Sequence, residues 1–210
     1  MGYLLPVAPC FWSVPRCRDR VALTFDDGPT NLTATVLDIL KAEDVKATFF
    51  VLGRRVVKYP ELVTRMRDEG HEVGIHGYDH TIKQFAGQVA RCYAELAKLG
   101  VRPICIRPPW GKVELIPLLR HWVRGYRTVL FNFDTHDSMR YEGKWPDVTP
   151  DFSAIRGGDI VLMHDDNPIC IGELSNLLQK LREMSMQTVT VSELTQYRRR
   201  TEPYEVSHNN

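Results

Sequence analysis

The sequence lacks any apolar run long enough to cross a bilayer, and it lacks an excess of charge of either sign. A transmembrane helix needs about 20 consecutive apolar residues, and no such run is present. The 27 Lys and Arg residues nearly balance the 26 Asp and Glu residues, which gives no electrostatic basis for binding nucleic acid or an anionic membrane. The 210 residues, 43% of them hydrophobic, are sufficient for one globular domain with a full core.

Cysteine is also scarce, and its spacing forms no CxxC pair. The five cysteines are an odd number, which favours reduced thiols over a disulfide framework. A Cys10–Cys17 pair across a Pro-containing loop is the one alternative. The N-terminus lacks the basic start and long apolar region of a secretion signal. We therefore expect either a cytoplasmic protein or an exported protein that has been trimmed from a longer precursor.

The sequence does contain strand-like and helix-like segments that alternate about seven times. The predicted strands cover 21–25, 46–53, 71–75, 104–107, 126–133, 159–163 and 188–191. The predicted helices between them cover 30–43, 60–69, 82–99, 113–123 and 171–184. This alternation predicts an α/β fold with a parallel sheet covered by helices, either closed into a barrel or open and doubly wound.

The chain shows no internal repeat, low-complexity segment or linker, so we predict a single folded domain. Residues 1–20 are predicted to form an irregular N-terminal segment that packs on the body of the protein. The domain is predicted to span 21–197, and 198–210 to form a flexible polar tail.

Polar side chains follow the ends of five predicted strands. Because the carboxyl ends of parallel strands share one face, these side chains should converge on one site. One aspartate plus two histidines is the minimum ligand set for a catalytic divalent metal, and a second aspartate beside it is free to act as a base. Singly, each motif has a structural explanation, such as an Asp pair that caps a helix or turn. Their joint occurrence favours a site formed by Asp26, Asp27, His76, His80, Arg107, Asp134, Asp137 and His164.

The same residues lie in five ordered motifs that resemble those of the NodB-homology polysaccharide deacetylases, carbohydrate esterase family 4. The motifs read TFDDG at 24–28, HGYDH at 76–80, RPPWG at 107–111, DTHD at 134–137 and IVLMH at 160–164. The resemblance extends from residue 21 to about residue 195. It implies a distorted (β/α) barrel, often with seven parallel strands, and a metal-dependent hydrolase that removes acetyl groups from N-acetylated sugars of a glycan.

The resemblance also implies a role for each motif residue. The metal is usually zinc, with cobalt, manganese or nickel as alternatives. Asp27, His76 and His80 match the metal ligands, and Asp26 matches the general base. The other matches are Arg107, which orients the base; His164, the general acid; Asp137, which tunes the acid, with Asp134 as second choice; Trp110 and Leu162, which line the acyl pocket; and Pro108 and Pro109, assigned to substrate binding.

Two positions depart from the family pattern. Gly77 stands where relatives carry Ser or Thr, whose hydroxyl steadies the metal site, and Ser138 stands where they carry Trp in the wall of the substrate groove. We expect weaker metal binding and an altered groove.

The implied partner is a carbohydrate, such as a chitooligosaccharide, peptidoglycan or a related N-acetyl glycan. The alternatives are a cytoplasmic deacetylase of a small N-acetyl sugar, an O-acetyl esterase on xylan, a non-catalytic carbohydrate-binding module and a non-haem iron oxygenase. The oxygenase explains neither His164 nor the second aspartate.

Overall fold

The computed structural model describes residues 10–15 and 17–200, the last four without their side chains. Within these ranges, nine short strands form one sheet in which every strand pairing is parallel. The strands are β1 (Cys10–Phe11), β2 (Arg20–Asp26), β3 (Thr48–Val51), β4 (Glu72–Ile75), β5 (Cys105–Ile106), β6 (Arg127–Val129), β7 (Phe133–Asp134), β8 (Ile160–His164) and β9 (Gln187–Val189).

In the same described part of the chain, eight α-helices connect these strands or follow them. They are α1 (Thr33–Ala42), α2 (Gly53–Lys58), α3 (Pro60–Asp68), α4 (Phe85–Lys98), α5 (Leu115–Val123), α6 (Asp137–Tyr141), α7 (Pro168–Glu183) and α8 (Val191–Arg200). Among these described helices, none combines the length and the apolar character that a bilayer crossing requires.

The sheet curls into a distorted barrel, as its strand order requires. The order is β1-β6-β5-β4-β3-β2-β8-β7, with β9 beside the start of β2. Only residues 130–132 separate β6 from β7, although these strands lie near opposite ends of the sheet, so the two ends must approach each other. Within this short connection, Leu130 N–H donates to the Phe11 carbonyl at 2.6 Å and Asn132 N–H donates to the Ile160 carbonyl at 3.2 Å. The chain therefore crosses the seam of the barrel at residues 130–132, which bond to β1 on one side and to the start of β8 on the other.

The predicted (β/α) barrel is confirmed, but the sheet has nine strands where seven were expected. One difference is β1, a two-residue strand in the Pro-rich segment that was predicted to be irregular. The other is the predicted strand 126–133, which divides into β6 and β7 because the chain crosses the seam between them. Apolar periodicity reports that a segment is extended, and it carries no information about which neighbour each half pairs with.

Alternation along each strand separates the helix-facing core from the barrel interior. In β2, Val21, Leu23 and Phe25 pack into the large cluster beneath the helices. Ala22 points the other way, into a second cluster. That second cluster fills the barrel with Ala22, Phe50, Cys105, Val129, Ile160, Val191 and Leu194, among others.

Helix α8 closes the end of the barrel at which the strands begin. Its residues Val191 and Leu194 are fully buried in the interior cluster. The Glu72 carboxylate accepts hydrogen bonds from Thr48 Oγ1 at 3.0 Å, Ser192 N–H at 2.9 Å and Ser192 Oγ at 2.6 Å. The opposite end, where the strands terminate, is left for a functional site.

Near both ends of the described residues, part of the chain packs on the barrel. In the N-terminal segment, Val14 and Cys17 are buried against the body, whereas Trp12 is 58% exposed. Helix α8 continues to Arg200, three residues into the predicted tail. Residues 1–9, 16 and 201–210 lie outside the described residues, so the division at 20 and 197 stays a prediction. All five cysteines are free, and the alternative Cys10–Cys17 pair is not formed.

Candidate active site

A groove of about 470 Å³ lies at the carboxyl ends of the strands, opposite the end that α8 closes. Strands β2 and β8 end at Asp26 and His164, while β4 and β5 lead directly into His76 and Arg107. Eight of the residues singled out from the sequence line this groove: Asp26, Asp27, His76, His80, Trp110, Asp134, Leu162 and His164. The parallel sheet therefore brings the predicted site together.

Asp27, His76 and His80 form a cluster whose ligand atoms all lie within 4.8 Å of one another. The Nε2 atoms of His76 and His80 are 3.8 Å and 3.5 Å from Asp27 Oδ1. That oxygen is buried and has no hydrogen-bond partner. Buried polar atoms are normally satisfied, so a carboxylate oxygen without a hydrogen bond, placed between two imidazoles, suits the binding of a cation.

The second nitrogen of His76 fixes how its ring is used. His76 Nδ1 lies 2.8 Å from the carbonyl oxygen of Arg107, so it donates its proton there. The Nε2 lone pair is then left facing Asp27, which is the tautomer that a metal ligand needs. A carboxylate with two imidazole nitrogens is a donor set that suits zinc and similar divalent metals. These three residues therefore fit the implied metal.

The turns that carry the ligands have unusual backbone angles. Asp27 and His80 have backbone φ angles of 71° and 52°. Residues other than glycine rarely adopt positive φ angles. Gly77 has a φ of 104°, at which a Ser or Thr would be strained, and this accounts locally for the glycine. In place of a hydroxyl from residue 77, Gln88 Oε1 accepts hydrogen bonds from the N–H groups of Tyr78 and Asp79, at 3.0 Å each. The loop between the two histidines is thus held from α4.

Asp26 is held by a buried arginine. Arg107 Nη1 donates to Asp26 Oδ1 at 2.7 Å and to Thr24 Oγ1 at 2.9 Å. Its other nitrogens donate to the carbonyls of Val129 at 3.2 Å and Leu130 at 3.0 Å, at the end of the neighbouring strand β6. The second oxygen, Asp26 Oδ2, lies 3.7 Å from His76 Nε2. One carboxylate oxygen is therefore fixed, and the other faces the ligand cluster.

His164 is paired with a buried carboxylate. Its Nδ1 donates to Asp137 Oδ1 at 2.7 Å, and its backbone N–H donates to Asp137 Oδ2 at 2.8 Å. Asn167 Nδ2 also donates to Asp137 Oδ2, at 3.2 Å. Burial alone would lower the pKa of His164, but the hydrogen bond and charge of Asp137 outweigh it and, with Asp26 and Asp27, raise the pKa to about 10. The imidazole is therefore cationic at neutral pH.

The remaining predicted residues lie in different positions. Asp134 lines the groove but bonds to His136, accepting its backbone N–H at 2.8 Å, so Asp137 is the carboxylate that contacts His164. Trp110 is 68% exposed, and its ring lies 4.6 Å from that of His80. Pro108 and Pro109 are buried and do not line the groove. The two prolines belong to the turn that presents Trp110, and their role in substrate binding stays a prediction.

Several residues of the site could not be singled out from the sequence. Thr24 lies inside the first motif, so its proximity was a usable signal. Asn167 and Gln88 lie outside all five motifs, and no spacing marks them. Met139 also lines the groove without having been singled out, next to Ser138, the position at which relatives carry Trp.

The chain is similar to characterised deacetylases over most of its length. The polysaccharide deacetylase family model matches residues 13–118. A peptidoglycan-N-acetylglucosamine deacetylase of Bacillus cereus is 32% identical over 213 residues, which cover 93% of this chain and 97% of that protein. The peptidoglycan-N-acetylglucosamine deacetylase PgdA of Listeria monocytogenes is 36% identical over 86% of this chain, which spans only 40% of the Listeria protein.

A solved structure gives the same result for the fold. The crystal structure of the peptidoglycan N-acetylglucosamine deacetylase Bc1960 superposes with a TM-score of 0.80 and 28% sequence identity, and the match covers 90% of this chain and 93% of that one. The shared barrel, the family match and the coverage of the B. cereus relative lead to one conclusion. This chain belongs to the polysaccharide deacetylase family.

Proposed function

We propose that this chain is a metal-dependent hydrolase that removes acetyl groups from N-acetylated sugars of a glycan, with peptidoglycan as the first candidate. The observation that supports this most strongly is that three groups of side chains meet at one groove. These are the Asp27–His76–His80 cluster, the Asp26 carboxylate held by Arg107, and the His164 imidazole held by Asp137. Amide hydrolysis needs an activated water, a base and an acid for the leaving nitrogen.

Asp27, His76 and His80 would hold the cation, which we propose to be zinc, with cobalt, manganese or nickel as alternatives. When bound, such a cation supplies a Lewis acid that lowers the pKa of water to about 7 and polarises an acyl oxygen. Three protein ligands are the number typical of catalytic zinc sites, whereas structural sites use four.

Asp26 takes the proton of the attacking water through Oδ2. Arg107 neutralises the buried charge of Asp26 and fixes its orientation through Oδ1, at 2.7 Å. The four acceptors of Arg107 hold the guanidinium in one position, so the base cannot swing out of the groove.

His164 donates a proton to the nitrogen of the departing sugar. Because its pKa is raised to about 10, the imidazole carries that proton at neutral pH. The bond from Nδ1 to Asp137 leaves Nε2 as the donor to the substrate.

The groove supports a sugar substrate. Trp110 presents a flat, exposed ring at the rim, on which the apolar face of a sugar can stack. Leu162 is 4% exposed in the groove lining and suits the methyl of an acetyl group. The relatives named as peptidoglycan deacetylases favour peptidoglycan over chitooligosaccharides, which carry the same acetamido group.

Acetate release across a panel of glycans tests this proposal. The panel contains peptidoglycan, chitooligosaccharides, acetylated xylan and small N-acetyl sugars, each with the zinc-loaded, chelator-treated and zinc-restored protein. We expect release from peptidoglycan, loss with the chelator and recovery with zinc. Release that resists complete metal removal contradicts the metal-dependent mechanism. Activity confined to small sugars or xylan supports the corresponding alternative, and glycan binding without acetate release supports a non-catalytic module.

The pH dependence of catalysis should change in Asp137→Asn. Removing the negative charge lowers the pKa of His164, so the imidazole loses its proton at lower pH. We expect the alkaline limb of the kcat profile to move down by about 1–3 pH units, with kcat reduced about 100-fold. Asp134→Asn, the same change at the carboxylate bonded to His136, is the matched control and should leave the limb in place. Equal profiles for both variants would contradict the role of Asp137.

A further inference from the structure

Asp165 follows His164 directly and has no part in the mechanism, yet its carboxyl group is buried. The residue is 1% exposed. Its Oδ2 accepts a hydrogen bond from Thr33 Oγ1 at 2.5 Å, while its Oδ1 has no partner. Burial raises the pKa of Asp165 to about 7. Burying a carboxyl group that has a single hydrogen bond costs free energy, so a structural or functional reason for its burial is expected.

The partner of Asp165 belongs to the turn that follows the two aspartates of the site. Thr33 is the first residue of α1, and its Oγ1 also accepts the backbone N–H of Thr30 at 2.7 Å. Thr30 Oγ1 in turn donates to the backbone carbonyl of Asp165 at 2.9 Å. Two hydrogen-bonded routes therefore join this turn to residue 165.

The Asp165 carboxyl group also packs against the backbone next to Asp27. A Cβ atom on Gly28 would lie 2.1 Å from Asp165 Oδ2, so only glycine allows this approach. The carbonyl of Asp27 is held from α2, because it accepts Arg55 Nη1 at 2.6 Å, and Arg55 pairs with Asp166 at 3.3 Å. Both contacts lead back to the two residues that follow His164.

Hydrogen bonds between strands β2 and β8 do not hold residues 27–30 against residues 165–166. Asp26 is in register with His164 as the last pair between β2 and β8. Beyond that pair, residues 27–30 and 165–166 continue side by side without ladder hydrogen bonds between them. The loop that carries one metal ligand and follows the base therefore depends on side chains for its position.

We propose that Asp165 and Thr33 are positioning residues whose hydrogen bond fixes the Asp26–Asp27 loop against the strand end that carries His164, and thereby sets the affinity of the Asp27–His76–His80 cluster for a divalent cation. The inference rests on the proposed function only for the identity of the ligands. Outer partners of metal ligands act in this way because they hold the ligands in the geometry that the metal requires.

Substitutions of Thr33 test the inference through zinc affinity rather than activity. Thr33→Val keeps the shape and removes the hydroxyl, whereas Thr33→Ser keeps the hydroxyl. The matched control is Thr48→Val, which removes an equally buried hydroxyl bonded to Glu72 at the far end of the barrel. Zinc dissociation constants are measured by competition with a chromophoric chelator, and the visible spectrum of the cobalt form reports the ligand geometry.

We expect Thr33→Val to weaken zinc binding about 10-fold or more and to alter the cobalt spectrum, while Thr33→Ser and Thr48→Val retain the wild-type affinity and spectrum. Should Thr33→Val fail to fold, Asp165→Leu and Asp165→Asn take its place. The leucine cannot accept the hydrogen bond and should lose affinity, whereas the asparagine can accept it and should retain affinity.

Two outcomes overturn the inference in distinguishable ways. If the wild type binds zinc and releases acetate while Thr33→Val matches Thr48→Val in zinc affinity, the positioning role is wrong and the proposed function stands. If the wild type binds no zinc, the positioning role and the proposed metal-dependent function are both wrong.

Discussion

Replacing Asp26 with Asn is expected to lower kcat about 1000-fold while leaving the bound metal in place. The amide oxygen of the variant can still accept the hydrogen bond from Arg107 Nη1, so the side chain keeps its position. It cannot take a proton from water, because an amide is not basic at neutral pH. Asp26 is outside the Asp27–His76–His80 cluster, so the zinc content should equal that of the wild type.

Steady-state acetate release and zinc content, measured on the same preparation, check this expectation. Glu142→Gln is the matched control, since Glu142 is another carboxylate in the groove lining and is ion-paired with Lys144 rather than with the site. It should keep most of its activity. A near-normal rate for Asp26→Asn would show that another group takes the proton.

Replacing His76 with Ala is expected to remove both the metal and the activity. Of the three proposed ligands, His76 is the most deeply buried, and its Nε2 faces Asp26 as well as Asp27. Loss of an outer partner typically costs 10–100-fold in metal affinity, so loss of a ligand itself should cost at least about 100-fold. Acetate release should then fall to background at ordinary zinc concentrations.

Zinc titration by calorimetry and thermal unfolding separate this effect from simple destabilisation. The control is His71→Ala, because His71 is another buried histidine, bonded through Nδ1 to Ala47 N–H at 3.2 Å and outside the groove. Both variants should unfold at lower temperature, but only His76→Ala should lose zinc. Wild-type zinc affinity in His76→Ala would remove this residue from the ligand set.

The sequence alone was sufficient to predict that Asp27, His76 and His80 come together with Asp26 and His164. The reason is that Asp26, Asp27, His76 and His164 each lie at the end of an apolar strand, and parallel strands bring such ends to one face. The histidine pair is separated by only four positions, so local spacing nearly fixes its geometry. The sequence also showed that Gly77 replaces the Ser or Thr of relatives, but it could not show that the φ angle of this residue is 104°.

What the sequence could not reveal are contacts between residues far apart in the chain. The Thr33–Asp165 hydrogen bond joins positions 132 residues apart, and Arg107 reaches Asp26 across 81 residues. No periodicity encodes which side chains meet after the barrel closes. The division of 126–133 into β6 and β7 has the same origin, because each half pairs with a different distant strand. Pro108 and Pro109 do not line the groove, because adjacency to Arg107 and Trp110 in the sequence does not place a residue in its wall.

The last helix has a consequence for how the protein is made. Val191 and Leu194 of α8 fill the barrel interior beside Ala22 and Phe50, which belong to its earliest strands. During synthesis from the N-terminus, these two side chains leave the ribosome after all the described strands, so the barrel interior stays open to water until α8 has emerged. A nascent chain stalled before residue 191 should therefore remain sensitive to protease, and a chain stalled after α8 has left the ribosome should become resistant.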